Sequence, residues 1–268
     1  MVVKKDIEKL HTFVIPAYGE SPYLEDCIRS LMEQRMQSGI LIVTSTPNQY
    51  ISGLSQKYQI PLYINHGEAG ISGDWNFGIS QVHTPLFTIA HQDDVYLPEY
   101  SSRILEEFRR VKKPIIFFTD YWELRNDEVV KKDKLLNVKR LMLKPLEPRR
   151  AWNSKWWRRR VLSFGDPICC PSVTYVTDRL PAGTFRSNLK ANLDWQAWES
   201  LSKLEGAFVY IKEPLMEHRV HSGSTTNKIL ESNARGKEDL YMLEKFWPKP
   251  VARLIDRLYS TNEKSAKA

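Results

Sequence analysis

From residue 12 to residue 120 the chain repeats one pattern: four or five mostly apolar residues, an abrupt change to polar or turn-forming ones, then a stretch whose apolar positions fall three and four apart. The apolar runs are 12–15, 40–44, 60–64, 86–90 and 115–118. Between them, Leu24, Cys27, Ile28, Leu31 and Met32 share one helical face, and a second helix starts near Pro47. Trp75, Ile79 and Val82 mark a third helix, and Ile104, Leu105 and Phe108 a fourth. Short runs that are apolar throughout, rather than alternating, belong to strands covered on both faces. The chain is therefore expected to be an α/β protein with a doubly wound, mainly parallel, Rossmann-like sheet. Ser21 and Pro22 are expected to cap the first helix and open its first turn.

In an open sheet of this kind ligands bind beyond the carboxyl ends of the strands. Polar residues collect there: Tyr18, Gly19 and Glu20; Thr44, Ser45 and Thr46; His91, Gln92, Asp93 and Asp94; and Asp120. Adjacent carboxylates on a short turn offer hard oxygen ligands to Mg²⁺ or Mn²⁺, although Asp also favours turns for its own backbone hydrogen bonds. No GxGxxG follows the first strand and no GxxxxGK[ST] occurs, so the dinucleotide-binding and P-loop readings lose their support.

The 268 residues, 42% of them hydrophobic, suffice for a sizeable core. The net charge of +7 is local, because residues 126–160 hold twelve Lys and Arg against four acids. Such a belt suits an anionic partner, whether a membrane surface, a nucleic acid or a phosphorylated substrate. Its end, residues 149–164, interleaves Trp152, Trp156 and Trp157 with Arg158, Arg159 and Arg160. Indole and guanidinium together suit lipid headgroups; core tryptophans beside solvated arginines, or a groove that stacks nucleic-acid bases, would use the same residues. The first ten residues contain no signal-peptide core, and no run reaches the roughly 18 apolar residues of a membrane span. A cytoplasmic protein, peripheral on the inner face of the cell membrane, is expected. Cys27, Cys169 and Cys170 are odd in number and lack CxxC spacing, which reads as three reduced thiols.

Further on, 171–177 reads as a strand, 193–204 as a helix with Asp194 in its first turn, and 209–211 as a strand. Pro214 and a loop at 217–226 follow, in which His218, Arg219, His221, Ser222, Ser224 and Thr225 crowd donors suited to phosphate or metal. The tail shows two amphipathic helices, one through Leu240, Leu243, Phe246 and Trp247, the other through Val251, Leu254, Ile255 and Leu258. They are fitted either to pack on the domain or to lie on a membrane.

Five segments in this order, FVIPAYGESPYLEDCIRSLMEQ, GISGDWNFGISQVHTPLFTIAHQDDVYLPEY, CPSVTYV, NLDWQAWESL and EPLMEHRVHSGSTT, resemble the family 2 glycosyltransferases, inverting enzymes of the GT-A fold. The resemblance implies a GT-A-type sheet with a nucleotide-sugar half at 1–125, a smaller acceptor-side catalytic half at 126–235 and a helical tail at 236–268. It implies nucleotide-sugar contacts from Pro16, Ala17, Tyr18, Glu20, Thr44, Asn76, Gln92, Asp93 and Arg219. A divalent metal, Mn²⁺ or Mg²⁺, is implied on Asp93, Asp94 and His221, with Asp194 as the catalytic base. The partners implied are a nucleotide-sugar donor, a UDP-sugar, and a glycan or lipid-linked acceptor in lipopolysaccharide or other cell-surface polysaccharide assembly. An anionic membrane surface is expected at 149–164 and the tail, and nucleic acid is not an expected partner. The chain departs from the family pattern in three places. Thr44, Ser45 and Thr46 replace the usual acidic pair and Gly-Ser, His91 stands for the first acid of the metal motif, and Trp75 stands where an arginine is common. These departures keep a second reading open, a non-catalytic glycan- or nucleotide-binding scaffold on the same fold.

Overall fold

The computed structural model describes residues 10–221, 223 and 234–266. β1 (His11–Pro16) lies inside the sheet and divides its side chains between two cores, because successive residues of a strand point to opposite faces. Phe13 and Ile15 join the layer under α1 (Leu24–Met32) and α2 (Gln49–Tyr58), whereas Val14 joins Trp75 of α3 (Ile71–Ser80) on the other side. A Cβ at Gly78 would lie 2.6 Å from Val14 Cγ1, so the absence of a side chain there sets how closely α3 rests on the sheet. His11 is the titratable residue of β1. It is fully buried, with Nδ1 2.8 Å from Ser38 Oγ and Nε2 2.9 Å from Thr88 Oγ1, and burial pushes its pKa down to about 3.

β2 (Gly39–Thr44), β3 (Leu62–Ile64) and β4 (Leu86–Ile89) run parallel with β1 in the spatial order β3-β2-β1-β4. Beyond β4 come β5 (Val95–Tyr96), α4 (Tyr100–Arg110), which adds to the α1 side, and the long β6 (Pro114–Arg125) with its hairpin partner β7 (Glu128–Val130). β8 (Val173–Val176) is inserted antiparallel between β4 and β6, and β9 (Ala207–Val220) runs parallel to β6 and pairs at its far end with β5. The doubly wound α/β sheet expected from the sequence is thus present, mixed where β5, β7 and β8 pair antiparallel.

β9 is far longer than the expected 209–211. Pro214 sits opposite Asp120 at an irregularity in the β6–β9 pairing, so its missing N–H costs no regular ladder bond, and pairing resumes from Trp122↔Glu217 to Arg125↔Val220. Glu217 to Val220 are therefore strand and not loop; Ser222, Ser224 and Thr225 lie outside the described residues. Ser21 does not cap α1. Tyr23 holds that position without a side-chain cap, and the Ser21 hydroxyl is engaged elsewhere.

The basic belt contains two helices that its charge conceals: α5 (Lys134–Leu143), capped by Asp133, and α6 (Lys155–Leu162), capped by Ser154. Part of the Trp/Arg segment is internal. Trp152 is buried, and Arg158 is fully buried, donating to the carbonyls of Ser202 (2.8 Å), Gly206 (2.5 Å) and Leu204. Trp156 and Trp157 stay exposed. α7 (Leu193–Leu201) packs Trp195 and Trp198 into the core. In the tail, α8 (Ala234–Leu243) and α9 (Lys249–Ala266) turn Met242, Leu243 and Ala252 onto the domain, and Trp247 Nε1 donates to Ser163 O at 2.7 Å. The Leu258 side chain lies outside the described residues. Among the described residues no helix is long and apolar enough to cross a membrane. The three cysteines are free and buried, Cys27 and Cys169 in the α1-side core and Cys170 in the α3-side core.

Candidate active site

The loops at the carboxyl ends of β1, β2 and β4 are tied to one another by their own polar groups. The Tyr18 amide donates to Gln92 Oε1 at 3.0 Å while Gln92 Nε2 donates to Tyr18 O at 3.2 Å, which joins the first loop to the one carrying Asp93 and Asp94. Gly19 N–H donates to Thr46 Oγ1 at 3.2 Å, and Asn48 Nδ2 returns a bond to Gly19 O at 3.0 Å. Pro16 ends β1 and Ala17 is buried, its N–H bonded to Val43 O at 2.8 Å. Tyr18, 66% exposed, and Glu20, also exposed, are left projecting from the sheet edge.

β9 brings its end residues to the same place. His221 Nε2 lies 3.1 Å from Asp93 Oδ2, and Ser21 Oγ donates to Asp93 Oδ1 at 3.1 Å. Period two sends the side chains of His218 and Arg219 to opposite faces of β9. Arg219 Nε donates to Asp93 O at 3.0 Å, its guanidinium stacks on the Tyr23 ring at 4.3 Å, and its Nη1 reaches Asp127 at 2.7 Å. His218 Nδ1 lies 2.9 Å from Asp94 Oδ1, which also accepts the Arg219 amide at 2.8 Å. Burial works against a charge on His218, but the Asp94 carboxylate outweighs it and raises the pKa. Asp94 is 1% exposed, and its Oδ2 has no hydrogen-bond partner; His91 Nδ1 is 4.0 Å from it. His91, packed against Trp75 at 5.3 Å, is held below its ordinary pKa by burial, and its Nε2 is also without a partner.

Behind the second loop lies a group the sequence did not reveal. Asp74, buried within α3, accepts from Ser45 Oγ and from Asn65 Nδ2, both at 2.8 Å. A carboxylate therefore serves the loop after β2 although that loop carries no acid itself. Thr44 is fully buried, its Oγ1 accepting from Thr46 N–H at 3.0 Å, so it shapes the turn from behind. Asn76 is not with the Asp93 group: its amide donates to Phe185 O at 2.7 Å.

Asp194 is half-buried in the first turn of α7, and its Oδ1 accepts the Trp195 amide at 2.8 Å. Burial above all raises the Cys169 thiol; Lys139 opposes this, and Asp94 and Asp194 both add to it.

Among the described residues no three His, Cys, Asp or Glu side chains are gathered as a metal-holding group. Asp93 with His221 is nevertheless a fitting pair for Mn²⁺ or Mg²⁺. Neighbouring ligands on an octahedral ion with bonds of about 2.1 Å lie about 3 Å apart, and a diphosphate-bound ion takes few protein ligands. Asp94 stands behind this pair, its Oδ1 committed to His218 and the Arg219 amide.

A family model described as Glycosyl transferase family 2 matches residues 12–163, more than half of the chain. No curated protein matches the sequence. Among solved structures, S. aureus TarS 1–349 in complex with UDP-GlcNAc aligns with 92% of this chain and 70% of its own, at TM-score 0.62 and 12% identity. The mannosyltransferase PcManGT from Pyrobaculum calidifontis, in complex with GDP-Man and Mn²⁺, aligns with 96% and 80% at TM-score 0.59 and 11% identity. Glucosyl-3-phosphoglycerate synthase from Mycobacterium tuberculosis, with Mn²⁺ and UDP-glucose, aligns with 91% and 83% at 0.58 and 10%. These likenesses establish a GT-A glycosyltransferase fold, and with the family match over β1 to α6 the chain belongs to glycosyl transferase family 2.

Proposed function

We propose that the protein transfers one sugar from a UDP-sugar to a hydroxyl of a glycan or lipid-linked acceptor, with inversion, in cell-surface polysaccharide or lipopolysaccharide assembly. The observation that carries this reading is the meeting of Asp93, His221 and Arg219 at the carboxyl edge of the sheet. Complexes of fold relatives with UDP-GlcNAc, or with UDP-glucose and Mn²⁺, support the choice of donor and ion.

Each residue then has a task. Tyr18 and Gln92, fastened together, border the nucleotide, and Asp74 with Ser45 holds the loop that faces its base. Arg219, braced by Tyr23, offers positive charge to the diphosphate. A bound Mn²⁺ or Mg²⁺, held by Asp93 and His221, would neutralise the charge that grows as the diphosphate leaves. Asp194 takes the proton from the acceptor hydroxyl as its oxygen attacks the anomeric carbon from the face opposite the diphosphate. The bond from that carbon to the diphosphate oxygen breaks, and the leaving group keeps the electron pair.

Thermal unfolding with UDP, GDP and CDP, each with Mn²⁺, Mg²⁺ or chelator, tests the reading. At about 100 times its dissociation constant a nucleotide adds about 2.7 kcal/mol, several degrees for a domain of this size. A metal-dependent shift with UDP, absent in Asp93→Ala, is expected. No shift with any nucleotide would favour the scaffold reading, which the absence of an acidic pair at Thr44 and Ser45 recommends.

A further inference from the structure

α5 has two apolar faces, and only one of them is covered. Leu136 and Leu143 are buried, Arg140 pairs with Asp120 at 2.8 Å, and Lys139 lies over the Tyr121 ring, so this side fastens the helix to the sheet. On the opposite arc Leu135, Val138 and Leu141 are 55%, 45% and 61% exposed. At spacings of three they form one stripe, where a helix on a soluble surface ordinarily shows polar residues. An open groove of about 570 Å³ runs beside it, lined by Lys132, Lys134, Val138 and Leu141 among others. Residues 131–144 hold six Lys and Arg and a single acid, Asp133, which caps α5 and pairs with Arg125.

We infer that α5 is the surface on which the protein sits against an anionic phospholipid membrane, its leucine stripe entering the headgroup layer and its lysines facing lipid phosphates. An apolar arc edged by lysine is the pattern of a helix lying in a membrane interface. The charge selects among occupants. A second copy would set two clusters of lysine face to face, and a nucleic acid would leave the stripe unused. This inference deepens the lipid-linked part of the proposed function, because the covered side of α5 borders the candidate site. Lys139 and His218 both contact the Tyr121 ring, His218 at 6.2 Å between centroids. An acceptor anchored in the membrane would thus approach the candidate site past α5. The surface differs from the one that the composition of 149–164 and of the tail suggested, since Trp152 and Arg158 are internal and α8 and α9 turn apolar residues onto the domain.

The test is flotation of the full chain with phosphatidylglycerol/phosphatidylcholine vesicles and with pure phosphatidylcholine vesicles, at low and high salt. Wild type is expected to float with the anionic vesicles alone, and less at high salt. Each lysine at an anionic surface is worth about fivefold in partitioning, so Lys132→Gln/Lys134→Gln should bind about 25-fold more weakly. Leu135→Ser/Val138→Ser/Leu141→Ser should lose at least about tenfold through its apolar contact. Leu254→Ser in the tail, also exposed, should match wild type. Asp194→Asn should float as wild type does, which separates membrane docking from sugar transfer. Absence of binding, equal binding to both vesicle types, or undiminished binding by the lysine pair variant would overturn the inference. So would a lipid-free dimer in sedimentation velocity that the triple serine variant abolishes.

Discussion

His221 Nε2 and Asp93 Oδ2 stand 3.1 Å apart across 128 positions of sequence, linking the end of β9 to the loop after β4. Tyr23 packs against the His221 ring at 4.9 Å and also lies beneath the Arg219 guanidinium, so one ring steadies both residues. In His221→Ala the Mn²⁺ concentration needed for half-maximal UDP-dependent stabilisation should rise about tenfold or more, while Asp93→Ala should abolish that dependence. Thermal unfolding against a Mn²⁺ titration measures both. Equal half-maximal concentrations in wild type and His221→Ala would remove His221 from the site.

Asp194→Asn keeps the shape of the side chain and its bond to the Trp195 amide but removes the base. Transfer should fall by about 10² to 10⁴, with the UDP dissociation constant unchanged within about twofold. Nucleoside diphosphate release, followed alongside calorimetric UDP binding, separates the two quantities. Parallel losses in both would point to a structural role.

The buried His11 predicts a loss of stability in acid. Its folded pKa of about 3 lies below the unfolded value near 6.5, so the unfolded chain binds the proton first. The stability contributed is complete above the unfolded pKa and falls as pH drops toward the folded one. Between pH 7 and pH 5 the cost is about 2 kcal/mol. Urea unfolding at those two pH values should show His11→Gln losing about that much less than wild type, with His91, also lowered by burial, accounting for part of what remains.

Arg158→Met should cost about 3 kcal/mol or more in urea unfolding, because three buried carbonyls lose their donors. The neighbouring exposed Trp157→Ser should cost under about 1 kcal/mol. Comparable losses in the two would contradict the internal placement of Arg158.

The alternation of apolar runs with helical faces was enough to place β1 to β4, the turn bearing Asp93 and Asp94, and the edge at which ligands collect. What local sequence does not carry has physical causes. Pro214 reads as the end of a strand when only local preferences are considered, and just the long-range pairing with Asp120 shows that β9 continues through it. That pairing brings His218 to Asp94. α5 and α6 were hidden because a dense run of lysine and arginine looks like a solvated segment, although Asp133 and Ser154 stood before them as caps. Asp74 is not legible in sequence because a lone carboxylate in a helix is ordinarily solvated; its partners Ser45 and Asn65 come from the loops after β2 and β3.

Cys169 and Cys170 are chain neighbours that belong to opposite cores, with Cys27 sharing the first of these with Cys169. Burial raises all three thiols well above the ordinary range, so they are shielded from electrophiles both by packing and by protonation. Each thiol is therefore a clock for the opening of its own layer. If the two sides of the sheet come apart in one cooperative event, Cys27 and Cys170 will be alkylated at the same rate under native conditions; if one side loosens first, mass spectrometry of partly labelled protein will show which.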